Sequence, residues 1–204
     1  MLGSVEWGKR CGWQMLDLRH FDMAVPDSVD PDGLIMSLYV GQEPLARRLL
    51  KRVRRAVQIG PRLRGISIPT VESDEKRLGA DAAEYFLERG YQRFAMVGYK
   101  RSHLGTRLLA FQDRVLEEGA TFTLIRSPGG RAPTPERSRH FKKQMAEIRT
   151  PVALFCSNDR LSARCCRWCV EEGLEVPEQV AILGAGNEVM DCECSPVPLS
   201  SISE

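Results

Sequence analysis

The stretch from Pro151 to Ser201 limits the possible folds more than any other part of the chain. Val152 to Cys156 is an unbroken apolar run of β-type residues. Ser157-Asn158-Asp159 then breaks it with side chains that favour turns and helix starts. A helical stretch of about three turns follows and stops at Gly173. Beyond Pro177, Val180 to Leu183 is a second apolar run. This succession reads as a βαβ unit with parallel strands. In such units polar groups gather at the carboxyl ends of the strands, where ligands bind. Asn158-Asp159 and Asn187-Glu188 both fall there.

The same alternation runs through the chain. Val5 to Cys11 reads as the last turns of a helix, Trp13 to Leu18 as a strand, and Gly33 to Leu38 as a buried strand. Leu45, Leu49, Val53 and Val57 recur at four-residue spacing, which predicts an amphipathic helix over Pro44 to Ala56 with Arg and Lys on its other face. Val57 to Ile59 and Thr70 to Glu72 are short strands. Asp74 is placed to cap a helix over Glu75 to Glu88. Strands over Tyr91 to Val97 and Phe122 to Ile125 alternate with helices over Thr106 to Glu118 and Glu136 to Ile148. Strands alternating with helices predict an α/β fold with parallel sheets.

Composition removes several classes. With 204 residues and a 43% apolar fraction, the chain can bury one domain or two small lobes. A net charge of +2 does not by itself imply a nucleic-acid partner. No apolar run approaches the roughly 18 residues needed to span a membrane, and the first residues show no secretory signal. Seven cysteines, odd in number and without a signal peptide, read as free thiols in a reducing cytoplasm.

Three motifs carry a resemblance: the Asn158-Asp159 step, the linker Gly173-Leu174-x-Val176-Pro177-Glu178-x-Val180-Ala181, and the closing Pro198-Leu199-Ser200-Ser201-Ile202. In order and spacing they resemble the effector-binding domain of the lactose/galactose-repressor family, most closely its xylose-operon-regulator branch. The resemblance implies two doubly wound parallel-sheet lobes of the periplasmic-binding-protein-like type. The first lobe would hold residues 1–90, the second 91–195, and residues 196–204 would cross back toward the first. In the family pattern an apolar strand precedes the first helix, and another helix follows the Pro198-to-Ile202 crossover. The chain starts within that first helix and stops at Glu204, so the first lobe is expected to be truncated at both ends.

The resemblance also implies a site. A sugar needs planar, bidentate hydrogen-bonding groups for its vicinal hydroxyls. Asp74 matches the family's carboxylate after the last strand of the first lobe. Arg107, four residues before Phe111, matches its ligand arginine. Asn158 matches the asparagine of the Asn-Asp step, and Asn187 lies in the following turn. Gly184-Ala185-Gly186-Asn187 departs from the pattern, because Gly186 stands where the family usually places an aspartate. Restoring an aspartate at 186 is expected to strengthen a sugar. Asp74, Arg107 and Asn158 are expected to face one cleft.

Other constellations have plainer readings. The basic run of Arg47, Arg48, Lys51, Arg52, Arg54, Arg55, Arg62 and Arg64 could meet phosphates. It has no interleaved aromatic and no helix-turn-helix beside it, so it reads as a solvated helix face. Cys165, Cys166 and Cys169, with Cys192 and Cys194 after them, could hold zinc, but Cys-Cys-x-x-Cys is not a strong structural-zinc spacing and cysteine packs well as a small hydrophobe. No metal or cofactor is expected. The scattered histidines His20, His103 and His140 form no catalytic set, and no P-loop or dinucleotide fingerprint is present, so an enzyme is not expected.

The expected function is that of a cytoplasmic effector-binding domain of a transcription regulator, a repressor in the resembled family. A small sugar or polyol would close the lobes and bias a DNA-binding domain outside this chain, in a possible homodimer and away from membranes. A transport-type sugar-binding protein of the same fold and a degenerate, non-binding interaction domain stand as alternatives.

Overall fold

Continuous apolar runs along parallel strands require helices on both sheet faces, and the computed structural model, which describes residues 2–99, 104–127 and 134–203, meets that requirement in the larger part of the chain. The chain divides into two units, Met1–Glu72 and Ser73–Glu204.

The first unit holds α1 (Leu2–Arg10), a 3-10 turn (Leu18–Phe21), β1 (Leu34–Met36), α2 (Glu43–Leu50), β2 (Ala56–Ile59) and β3 (Thr70–Val71). Its three strands are parallel in the order β1-β2-β3. Met36, Leu38, Ala46 and Leu63 form its core. Gln58 lies buried among them because its amide replaces a sheet partner. Its Nε2 donates to the carbonyls of Leu38 (2.7 Å) and Pro61 (3.2 Å).

Two expectations for this unit are corrected. Trp13 to Leu18 forms no strand. Gly12, at φ +70°, turns the chain out of α1, and the Trp13 amide donates to the Gly8 carbonyl at 2.8 Å. The segment therefore closes a helix end, and its alternation comes from Trp13, Met15 and Leu16, all exposed. The helix expected over Pro44 to Ala56 ends at Leu50, because pairing with β1 claims Ala56 for β2 and the residues between must turn the chain. The basic side chains of the run, Arg47 to Arg64, are exposed. Arg52 pairs with Asp27 at 2.7 Å and Arg62 with Glu72 at 2.9 Å.

The second unit runs α3 (Glu75–Leu87), β4 (Arg93–Tyr99), α4 (Leu104–Glu117), β5 (Thr121–Ser127), α5 (Pro135–Met145), β6 (Val152–Cys156), α6 (Asp159–Glu171), β7 (Val180–Ala185), α7 (Val189–Glu193) and β8 (Ser200–Ile202). Its five strands are all parallel in the order β5-β4-β6-β7-β8. Side chains alternate across the sheet as the pleat requires. Ala95, Val97, Val152, Leu154, Val180 and Ile182 pack with α5 and α6. Phe94, Met96, Ala153, Phe155, Ala181 and Leu183 pack with α3 and α4. On that second face a chain of rings joins Phe86, Phe94, Phe111 and Phe155, ending in a stacked pair at 5.1 Å. Edge and stacked contacts of this kind each add about 0.5–1.5 kcal/mol beyond their area. Among the described residues no helix is long and apolar enough to cross a membrane.

This unit is larger than residues 91–195. Ser200–Ile202, expected within a segment leaving the second lobe, adds a fifth strand to its sheet. Residues 73–90, expected in the first lobe, belong to it because α3 packs flat on α4. Gly79 permits the approach: a Cβ there would run into the Arg107 carbonyl and come within 3.1 Å of the Ala110 Cβ. Backbone oxygen cannot give way as a flexible side chain can. Gly79→Ala is therefore expected to lower the unfolding free energy by about 1–3 kcal/mol despite alanine's better helix propensity. Urea denaturation checks this, and an unchanged midpoint would show that the helices are not held so closely.

Candidate functional site

The strand order of the second unit reverses at β4. The chain steps outward to β5 on one side, then returns to β6 on the other. In doubly wound sheets the crevice beyond the carboxyl ends at this reversal is where ligands bind, since the helices after the two strands lie on opposite faces. Here α4 and α6 are those helices.

Arg107, in the first turns of α4, spans the reversal. Its Nη1 donates to the Ser157 carbonyl just past β6, at 3.0 Å. Its Nε and Nη2 donate to the two carboxylate oxygens of Glu75 at 2.7 and 2.9 Å. This is the parallel, two-bond pairing for which guanidinium and carboxylate are matched. The Arg107 side chain is 3% exposed and the Glu75 side chain 28%. Glu75 is the first residue of α3, so its negative charge also faces the positive end of that helix.

The other expected residues lie at the same end of the sheet. Asp74 is exposed and caps α3, its Oδ1 accepting from the Arg77 amide at 3.0 Å. Asn158 is half-buried and caps α6, its Oδ1 accepting from the Leu161 amide at 2.9 Å, while its Nδ2 donates to the Ser157 hydroxyl at 3.4 Å. Both side chains thus hold helix starts at the rim of the crevice. Asn187 is exposed after β7, in the left-handed conformation at φ +55°, and its amide donates to the Ser201 hydroxyl at 3.0 Å.

Asp159, read from the sequence only as half of the Asn158-Asp159 step, links these pieces. It is buried, and its Oδ2 accepts from the Glu188 amide at 2.8 Å, tying the turn after β7 to the start of α6. Among the described residues its Oδ1 has no hydrogen-bond partner, and it lies against Gly184, where a Cβ would collide with it. Position 186 is constrained as well. Gly186 has φ +116°, which L side chains rarely adopt, and a Cβ there would stand 3.4 Å from Asp159 Oδ2. An aspartate at 186, expected to strengthen binding, would meet a strained backbone and set a second carboxylate beside that of Asp159.

The signals for these residues were weak. Glu75 is one acid in a charged helix start, and its partner is 32 residues away. Asp159 reads as an ordinary first-turn acid. Only the glycines at 184 and 186 hint that something presses on that backbone.

The cysteines of the βαβ unit's first strand and helix are packed in the core. Cys156, Cys165, Cys166 and Cys169 are buried between the sheet and α6. Burial pushes the Cys169 thiol up to about 12 and raises Cys165 well above the usual range, with Cys156 beside it adding to the effect. Burial and the Asp159 carboxylate raise Cys192. A thiol held protonated is a poor nucleophile.

Residues 83–204 match the model of the periplasmic binding protein-like domain. Among curated proteins, the chain is 22% identical over 176 residues to the probable HTH-type transcriptional repressor ExuR of Bacillus subtilis, covering 82% of this chain and 51% of the relative. It is 27% identical over 181 residues to the HTH-type transcriptional regulator GntR of Pseudomonas aeruginosa, covering 84% and 50%. The chain thus spans about half the length of these curated relatives. Among solved structures, a LacI-family transcriptional regulator from Enterococcus faecium with bound ribose aligns with a TM-score of 0.66 at 21% identity, over 85% of this chain and 65% of that one. A transcription regulator from Lactobacillus plantarum aligns with a TM-score of 0.74 at 14% identity, over 97% and 76%.

The thiol environment has two measurable consequences. In the native protein a thiol reagent is expected to label the exposed Cys11 and Cys194 quickly and the core cysteines only on unfolding. A thiol whose folded value is raised stabilises the fold fully below its unfolded value, near 9, and that stability is lost as pH rises toward the folded value of about 12. Unfolding free energy measured from pH 8 to 12 should therefore fall across that window. Rapid labelling of Cys165 or Cys169 would contradict the packed arrangement.

Proposed function

The chain belongs to the periplasmic binding protein-like domain family, and we propose that it is the effector-binding part of a sugar-responsive transcription regulator of the lactose/galactose-repressor type, as its likeness to HTH-type regulators supports. The effector is a small sugar or polyol, with the pentoses of the xylose-regulator branch as first candidates. DNA is contacted through a domain outside these residues, and the regulator acts in the cytoplasm, a reading supported by its likeness to HTH-type transcriptional repressors. No step of catalysis is assigned to it.

One observation carries the proposal. Arg107 stands across the reversal of strand order, with Asp74, Asn158 and Asn187 at the same end of the sheet. Caps and a charge pair fix Asp74, Asn158 and Arg107 before any ligand arrives, so little ordering entropy is left for binding to overcome. Relatives with ribose and with cellobiose bound have the same fold. An effector acts by binding one state of the protein better than another, and only that difference shifts the equilibrium.

A second reading has support of its own. Gly186 supplies no side chain, and Glu75 already occupies the Arg107 fork. On that reading the domain binds no small molecule and serves in protein contact.

A thermal-shift screen with D-xylose, D-ribose, D-glucose and cellobiose separates the two. A ligand at 100 times its Kd adds about 2.7 kcal/mol, which is on the order of 5–10 °C in Tm for a chain of this size. At least one sugar is expected to give such a shift, and Arg107→Ala, still folded by circular dichroism, is expected to lose it. No shift with any sugar would favour the non-binding reading.

A further inference from the structure

We propose that Glu75 is a specificity-determining residue that shuts negatively charged sugars, such as aldonates and uronates, out of the Arg107 site and reserves it for neutral polyhydroxyl ligands. The inference rests on the sugar-site reading above. An arginine 3% exposed at a ligand-binding crevice would ordinarily select an anion, because a desolvated guanidinium fork is matched to a carboxylate or phosphate. Here a carboxylate from the chain itself takes that place. Both Glu75 oxygens accept from Arg107, at 2.7 and 2.9 Å, so the fork is closed and its charge is balanced within the protein. Asp74, the preceding residue, places a further carboxylate at the same helix start.

A ligand carboxylate arriving there must either displace Glu75 or lie beside it. Displacement gives up a two-bond ion pair to form an equivalent one, with no net gain. Lying beside it sets like charges a few ångströms apart where water only partly screens them. A neutral sugar meets neither obstacle. The Glu75 oxygens keep lone pairs that accept from hydroxyls while the pair with Arg107 stays intact. The carboxylate excludes anions and orients the arginine at once, and so combines an attractive element with a repulsive one.

Calorimetry and thermal shift on the wild-type chain and on Glu75→Gln, with D-glucose, D-xylose, D-glucuronate, D-gluconate and inorganic phosphate, test this. Glucose and glucuronate share a ring and differ in charge at one carbon. The wild type is expected to bind a neutral sugar at least about 30-fold more tightly than glucuronate. Glu75→Gln, which keeps an acceptor for Arg107 and removes the charge, is expected to narrow or invert that ratio and to respond to gluconate or phosphate. If neither protein takes a neutral sugar but Glu75→Gln alone gains anion binding, the role of Glu75 stands and the sugar reading falls. If the wild type binds glucuronate as well as glucose, or the variant keeps the wild-type ratio, the role of Glu75 is wrong while the sugar reading survives. Absence of every response in both proteins overturns both. Because the wild-type ratio alone can refute the proposal, it stays testable even if the variant folds poorly.

Discussion

One buried guanidinium holds the carboxyl-terminal end of the second sheet together. Arg107 joins α4, which follows β4, to the backbone beyond β6 and to the first residue of α3. Without a partner, a charge so far from water would cost several kcal/mol. Glu75 and the Ser157 carbonyl remove that cost, and in doing so fix three elements around the reversal in strand order. Gly79 is part of the same arrangement, since α3 could not approach closely enough for Glu75 to reach Arg107 if a side chain stood between the helices.

Around that tie the site is made of helix starts. Asp74 and Asn158 cap α3 and α6, and Asp159 holds the turn after β7 against the start of α6. Each side chain satisfies backbone donors that would otherwise be orphaned at the helix ends. The same groups line up where a doubly wound sheet offers its crevice. Structural and ligand-directed roles therefore coincide, so capping does not argue against binding. The small residues Gly184 and Gly186 make room for the Asp159 carboxylate.

Much of this could be read from the sequence, for identifiable reasons. Val152 to Cys156 and Val180 to Leu183 are apolar throughout because both faces of a parallel strand are covered, and their pairing follows. Asp74 and Asn158 were legible because caps have a local chemistry. Trp13 to Leu18 misled because period-two alternation is also what an exposed, irregular segment can show, and only the φ of Gly12 reveals a helix closing there. Glu75 was missed, and the tie made by Asp159 was not foreseen, because these roles depend on partners about 30 residues away, Arg107 for one and Glu188 for the other. A long-range charge pair leaves no periodic trace. The conformation of Gly186 was hidden as well, so an aspartate there looked free of cost when the backbone makes it strained.

The most direct test of the account is a double-mutant cycle on Arg107→Ala and Glu75→Ala, read by urea unfolding. If the pair holds the crevice together, each single change should cost more than surface substitutions do. The two should also fail to add, with a coupling energy of about 1.5–3 kcal/mol, as for a charged hydrogen-bonded pair largely out of water. A coupling within about 0.3 kcal/mol of zero would show that Arg107 and Glu75 act independently, and would contradict the claim that their ion pair organises this end of the sheet.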